Sequence, residues 1–168
     1  MRTTFLLAAT LAAGSATAEQ KPWLEMLAGP VALHQTGRSG FGSGPLVRLT
    51  AGLPFGERAA GELWMSGSLE SAPQGARGDH ALAAVGLGGR VLLHHFDADG
   101  KLGLWARAGA GWAIPAAGEG RNGPTGFGGA LLSFQPFTKR FQLGLEVDVL
   151  GYRSTVGAAV LPQLRCQF

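Results

Sequence analysis

The chain of 168 residues carries 28 glycines, 46% hydrophobic residues and only 15% charged ones. This much glycine argues against a long-helix fold, and so little charge falls short of the roughly 25% usual in soluble domains. A formal net charge of +3 is a slight excess rather than a basic patch, so no nucleic-acid partner is expected, and the single cysteine, Cys166, excludes an internal disulfide and a cysteine-built zinc site.

The first element is a leader. Met1-Arg2 gives a positive start, Phe5 to Ala13 is apolar, and Ala16-Thr17-Ala18 is a small-x-small cleavage site. That is the pattern of a secretory signal peptide, so residues 1–18 are expected to be removed after export through the Sec route. No cysteine stands near the cleavage site, so no lipid anchor is expected. Residues 19–168 are then expected to form one domain, with no appended peptidoglycan-binding domain. No later stretch approaches the ~20 apolar residues of a transmembrane helix.

From there on, the hydrophobic period is two, the signature of strands with one apolar face. Eight segments are predicted, at about residues 23–34, 45–55, 60–71, 81–96, 102–114, 125–135, 141–152 and 157–168. In the second, Val47, Leu49, Ala51, Leu53 and Phe55 oppose Arg48, Thr50 and Gly52. In the third, Leu63, Met65 and Leu69 oppose Glu62, Trp64, Ser66, Ser68 and Glu70. In the fifth, the face from Leu102 to Ile114 opposes Trp105 and Arg107. In the seventh, Phe141, Leu143, Leu145, Val147 and Val149 oppose Gln142, Gly144, Glu146, Asp148 and Leu150. The last segment alternates back from Phe168 through Cys166, Leu164, Pro162 and Val160. The first and sixth are ambiguous in register, and Pro30 and Gly128-Gly129 are candidate bulge sites.

Short and long connections alternate. Residues 54–58, 97–100 and 136–140 read as compact turns; 35–44, 73–80 and 117–124 are longer and glycine-rich. A last connection near Arg153-Ser154-Thr155 is short. In an outer-membrane barrel the short turns are periplasmic and the longer loops lie outside. Six of the nine phenylalanines, Phe55, Phe96, Phe134, Phe137, Phe141 and Phe168, fall at the short-turn ends or the C-terminus, as an interfacial aromatic girdle would. Trp112 is a candidate for the opposite girdle. This placement argues that the apolar face points outward to lipid; a soluble exported barrel with that face inward is the competing reading.

Two stretches carry a family resemblance: Gly86-Leu87-Gly88-Gly89-Arg90 with its partner Lys101 to Gly111, and Gly126-Phe127-Gly128-Gly129 with Leu143-Gly144-Leu145-Glu146-Val147. With the terminal strand, they make the chain resemble the small outer-membrane β-barrel domain family, the OmpA/OmpX-like group. The resemblance implies an all-β fold, an eight-stranded antiparallel up-and-down transmembrane β-barrel with a plugged polar interior. It also implies a C-terminal insertion signal at Leu164, Cys166 and Phe168, read by the barrel-assembly machinery.

With the apolar face outward, the charged residues line the lumen: Glu25, Arg48, Glu62, Glu70, Arg90, Arg107, Glu146, Asp148 and Arg165. Eight strands leave room for packed side chains and little else, and buried charges are costly unless paired. The expectation is therefore a plug of salt bridges, with Trp64, Trp105 and Leu150 filling space and Arg165 needing an acidic partner. A narrow channel is one alternative. A lipid A-modifying hydrolase, resembling the deacylases of similar fold, is another. His94 and His95 lie at the short-turn side, away from lipid A, and as strand neighbours face opposite ways. His34 and His80 lie near the outer end with Ser39, Ser43 and Ser154, but no catalytic spacing is visible, so no catalytic, metal or cofactor residue is assigned. Arg38, Arg77, Arg121 and Arg153 each mark an outer connection and are candidates to touch lipopolysaccharide phosphates. The expected partners are outer-membrane lipid and lipopolysaccharide, and the expected state is a monomer with a structural or surface-interaction role.

Overall fold

The computed structural model describes residues 21–35, 42–70, 80–117, 122–136, 138, 140–153 and 155–168. The expected leader, residues 1–18, lies outside them. Eight antiparallel strands run in chain order: β1 (Trp23–Gln35), β2 (Gly42–Pro54), β3 (Ala59–Glu70), β4 (His80–His95), β5 (Leu102–Ala117), β6 (Gly123–Phe134), β7 (Phe141–Tyr152) and β8 (Thr155–Gln167). Each pairs with its neighbour, and β1 pairs with β8, so the sheet closes into an up-and-down barrel without edges.

The stagger of the closure follows from the pairing. Starting at Glu25, the partners run through Thr50, Trp64, Gly86, Gly111, Thr125, Tyr152 and Thr155, and return to β1 at Gln35. The ladder comes back ten residues further along the strand on which it began. Strands must tilt to accommodate such a stagger, and the tilt sets which side chains share a level inside. The shortest strands have 12 residues, which exceeds the ~9–11 a tilted membrane strand needs.

Alternation sorts the faces. Leu24, Met26, Leu49, Leu63, Met65, Leu87, Val91, Leu143, Leu145, Val147, Val149 and Val160 are exposed on the outside, while Trp23, Leu27, Arg48, Glu62, Arg90, Arg107, Glu146 and Asp148 are buried inside. The outer surface is thus a continuous apolar band, the reverse of a soluble surface. Phe55, Phe96, Phe134, Phe141 and Phe168 are exposed at the short-turn end, and Trp112 and Ile114 are exposed toward the other. Phe137 lies outside the described residues.

Neither proposed bulge forms. β1 keeps one register against β2 throughout, and β6 keeps one register against both neighbours. Pro30 acts differently. Pairing of β1 with β8 lapses between Leu27↔Gln163 and Val31↔Ala159 without a register change. Pro30 and Pro162 lie in this gap, and neither has an N–H to donate. The irregularities fall in the β4–β5 ladder, between Ala81 and Leu82 and between Leu92 and His94. The second leaves Leu93 unopposed; beyond it His94 is opposite Leu104 and His95 opposite Gly103, so the two histidines still alternate. Both are exposed; the His94 ring packs edge-on to Phe96 at 4.9 Å, and a Cβ built on Gly100 would stand 3.5 Å from the His95 ring.

The turns are built locally. Asp97 receives the Lys101 N–H at Oδ2 (2.9 Å) and the Leu102 N–H at Oδ1 (2.7 Å), and Gly100 takes φ 68°. Gly56 takes φ 76° in the β2–β3 turn. At the opposite end Arg153 takes φ 50°, the left-handed region a two-residue hairpin connection demands.

Candidate functional site

The inward faces build the candidate site, in three levels. Nearest the short turns, Trp23 on β1 lies buried over Gly52, where a Cβ would fall 1.9 Å from the indole. Trp105 donates its Nε1–H to Ser133 Oγ at 3.0 Å. Arg165 donates to Gln142 Oε1 at 2.9 Å and stacks on Trp23 with its guanidinium 4.4 Å from the ring centroid. The acidic partner expected for Arg165 is not what it meets. The nearby carboxylate of Glu25 is already engaged by Arg90, Arg107 and Gln163, so Arg165 settles on an amide and a ring face.

The middle level is ionic. Arg107 is its hub. Its Nη1 lies 2.7 Å from Glu25 Oε1 and donates to Glu146 Oε2 at 2.6 Å; its Nε donates to Glu62 Oε2 at 2.7 Å and its Nη2 to Thr50 Oγ1 at 2.8 Å. Arg90 donates from Nη2 to Glu25 Oε2 at 2.7 Å and from Nε to Glu62 Oε1. Arg48 donates to Glu146 Oε1 at 2.5 Å and lies 2.8 Å from Asp148 Oδ2. Gln163 donates to Glu25. Phe127 on β6 presents its ring to Arg48 at 3.7 Å and to Arg107 at 5.6 Å. Every strand therefore contributes a contact to this layer. Three arginines meet four carboxylates in it, and the side chains of the ion pairs are at most 1% exposed.

Toward the opposite end the lumen turns apolar. Leu27, Val31, Leu46, Ala159 and Leu161 form one cluster, with Leu33 and Leu150 against it. Trp64, Ala84, Ala113 and Phe127 form a second, with Leu82, Leu150 and Tyr152 against it. Trp64 meets Phe127 edge to face at 5.4 Å and donates to the Leu87 carbonyl at 3.1 Å. Glycine makes this possible: a Cβ at Gly109 would fall 2.5 Å from Phe127 and 2.7 Å from Trp64.

The structure thus brings Glu25, Arg48, Glu62, Arg90, Arg107, Glu146 and Asp148 together and leaves Arg165 just below them. Glu70 pairs with His80 at the far end of β3; both side chains lie outside the described residues. Thr50, Gln163 and Phe127 complete the ionic layer, Gln142 and Trp23 the level below it, and charge alone singles out none of them. Parity alone places Thr50 and Gln142 inside. That Thr50 on β2 meets Arg107 on β5 depends on the stagger, whereas Gln142 is paired directly with Arg165.

Several of the remaining sequence candidates lie outside the described residues. His34 and Ser43 are exposed near the ends of β1 and β2. Ser39, Ser154, Arg38, Arg77 and Arg121 lie outside the described residues, and Arg153 is exposed in the β7–β8 turn. Cys166 is a partly buried free thiol between Leu24 and Phe141, on the outward face with Leu164 and Phe168. Among the described residues, no group of three His, Cys, Asp or Glu side chains is arranged to hold a metal ion.

Comparison with protein-family models and with curated proteins finds no match. Solved structures do match. Neisserial surface protein A superposes with a TM-score of 0.67 at 12% identity, over 88% of this chain and 97% of that one. Ail, the attachment invasion locus protein of Yersinia pestis, gives 0.57 at 13% identity over 89% and 99%. The backbone structure of the Yersinia pestis outer membrane protein Ail in a phospholipid bilayer nanodisc gives 0.53 at 15% identity over 89% and 100%. The chain has the fold of the small eight-stranded outer-membrane barrels, as its sequence resemblance implies.

Proposed function

We propose that this protein is an integral outer-membrane barrel of the Gram-negative envelope, with a structural or surface-interaction role and no open pore. One observation carries the reading: an unbroken apolar outer band encloses a lumen closed by interlocked charges and, beyond them, apolar side chains. The aromatic residues at both ends suit membrane interfaces, and a protein of the same fold is described in a phospholipid bilayer. Leu164, Cys166 and Phe168 are the insertion signal offered to the assembly machinery. Arg153, with Arg38, Arg77 and Arg121, offers guanidinium to lipopolysaccharide phosphate. The role is non-enzymatic, and the barrel acts as a monomer.

Fractionation into the outer membrane and heat-modifiable migration in detergent gels test the class; migration that does not change with heating overturns it. Planar bilayers test the closed lumen. No steady large conductance is expected, and reproducible open channels overturn that part of the reading. Loss of lipopolysaccharide co-purification when the four arginines become alanine supports the surface contact; unchanged co-purification removes it.

A further inference from the structure

The short-turn end of the barrel is not completely filled. A cavity of about 200 Å3 opens there, between the β2–β3 turn, Gly100 and the start of β7. Its wall holds three arginines, Arg90, Arg140 and Arg165, against one carboxylate among the described residues, Glu57 on the rim. Arg90 is 2% exposed, and Glu62 and Glu25 occupy its Nε and Nη2. Its Nη1 is also buried and has no acceptor among the described residues. Arg165 meets the neutral Gln142, and both guanidiniums lie over the same Trp23 ring, at 4.2 and 4.4 Å.

Two like charges are therefore held against one indole at the floor of a cavity that a third overlooks. The charge that would balance Arg165 is elsewhere. Asp148 pairs with Arg48 and is opposite Ala159 on β8, six residues toward the far end from Arg165. The ionic layer is consequently polarised, with its spare carboxylate away from the mouth and its spare guanidinium at it. Buried charge and unfilled donors are costly, and planar guanidinium donors fit tetrahedral phosphate oxygens well. We propose that this mouth binds a phosphate-type oxyanion between Arg90, Arg165 and Arg140.

The test uses the whole barrel in a detergent without phosphate, at constant ionic strength. Tryptophan fluorescence follows the addition of inorganic phosphate or, separately, of short-chain phosphatidylglycerol. A saturable change is expected, because Trp23 carries both guanidiniums. Affinity should fall about tenfold or more in Arg165→Gln and in Arg140→Gln, the size of one lost charge-assisted hydrogen bond. Arg140 is exposed beside a turn, so its variant reports on binding whether or not Arg165→Gln folds. Arg153→Gln, at the opposite end, should bind normally. Saturation by inorganic phosphate supports the site with a free oxyanion as its ligand; saturation by phosphatidylglycerol alone supports it with a lipid head group as the source. No saturable response to either probe, or an undiminished response in Arg140→Gln, overturns it.

Discussion

The two halves of the lumen close the same bore by different physics. Around Arg107, each carboxylate of Glu25, Glu62 and Glu146 serves two arginines, so no pair stands alone. Around Leu27, Val31 and Leu161, closure comes from volume, with non-directional contacts. Removing one member of the ionic half leaves others buried and unpaired. Removing one member of the apolar half leaves a hole. The first is a coupled lock and the second a filler, which is why the charged half gives the barrel a particular registration of its strands while the apolar half mainly excludes water.

The largest expected effect follows from that coupling. Glu62→Ala strips a partner from both Arg90 and Arg107 at once, and losing one side of a buried pair costs about 3–5 kcal/mol. Urea unfolding in lipid vesicles, followed by tryptophan fluorescence, checks it. A loss no larger than that of an apolar truncation would make the ionic layer a filler too. Leu161→Ala is that truncation. Leu161 is 0% exposed, and the transfer and cavity terms together give about 3 kcal/mol. Combined with Glu62→Ala it should show how far the two halves are coupled; additive losses keep them separate. The third test turns to the outer face. Leu87 is 70% exposed near the middle of β4, where lipid is deepest if the band spans a membrane. Leu87→Arg should cost about 2–3 kcal/mol in vesicles. No change there would mean that this face meets water.

The same contrast decides what could be read from the sequence. In β2, β3, β5 and β7 most inward residues are charged, polar or glycine, so alternation against outward Leu, Val and Met is plain and the faces are assigned correctly. In β1 and β6 the inward residues include Leu27, Val31, Phe127 and Leu131, as apolar as their outward neighbours. Apolar residues on the inward face erase the signal that charged ones create. This makes both strands ambiguous in register from the sequence alone. Within the ionic layer, charge identified Arg48, Arg90, Arg107 and their carboxylates. It could not identify Thr50, Gln163 or Phe127, whose parts depend on levels fixed by the ten-residue stagger. It placed Arg165 in the lumen but gave it an acidic partner where it meets Gln142 and Trp23, because a count of charges balances without saying where each one stands.

The smallest expected effect lies outside both halves and separates turn chemistry from lumen chemistry. The Asp97 carboxylate accepts backbone N–H groups from Leu102 and Lys101, and these hold its pKa below the ordinary 3.8, with Lys101 adding a smaller attraction. A folded pKa below the unfolded one means that the folded state favours the ionised form. The turn's contribution is therefore fully present above the unfolded pKa and is lost as pH falls through the folded one. Asp97→Asn should lower the unfolding midpoint slightly at neutral pH. The difference from the parent should shrink as the pH is taken below 3.8, because the parent carboxylate is then protonated as well. The side chain is only partly buried, at a turn, so salt should weaken the ionic part of the effect and leave the hydrogen-bonded part. If the difference persists unchanged through acid, the charge on Asp97 contributes nothing and the turn is held by geometry alone.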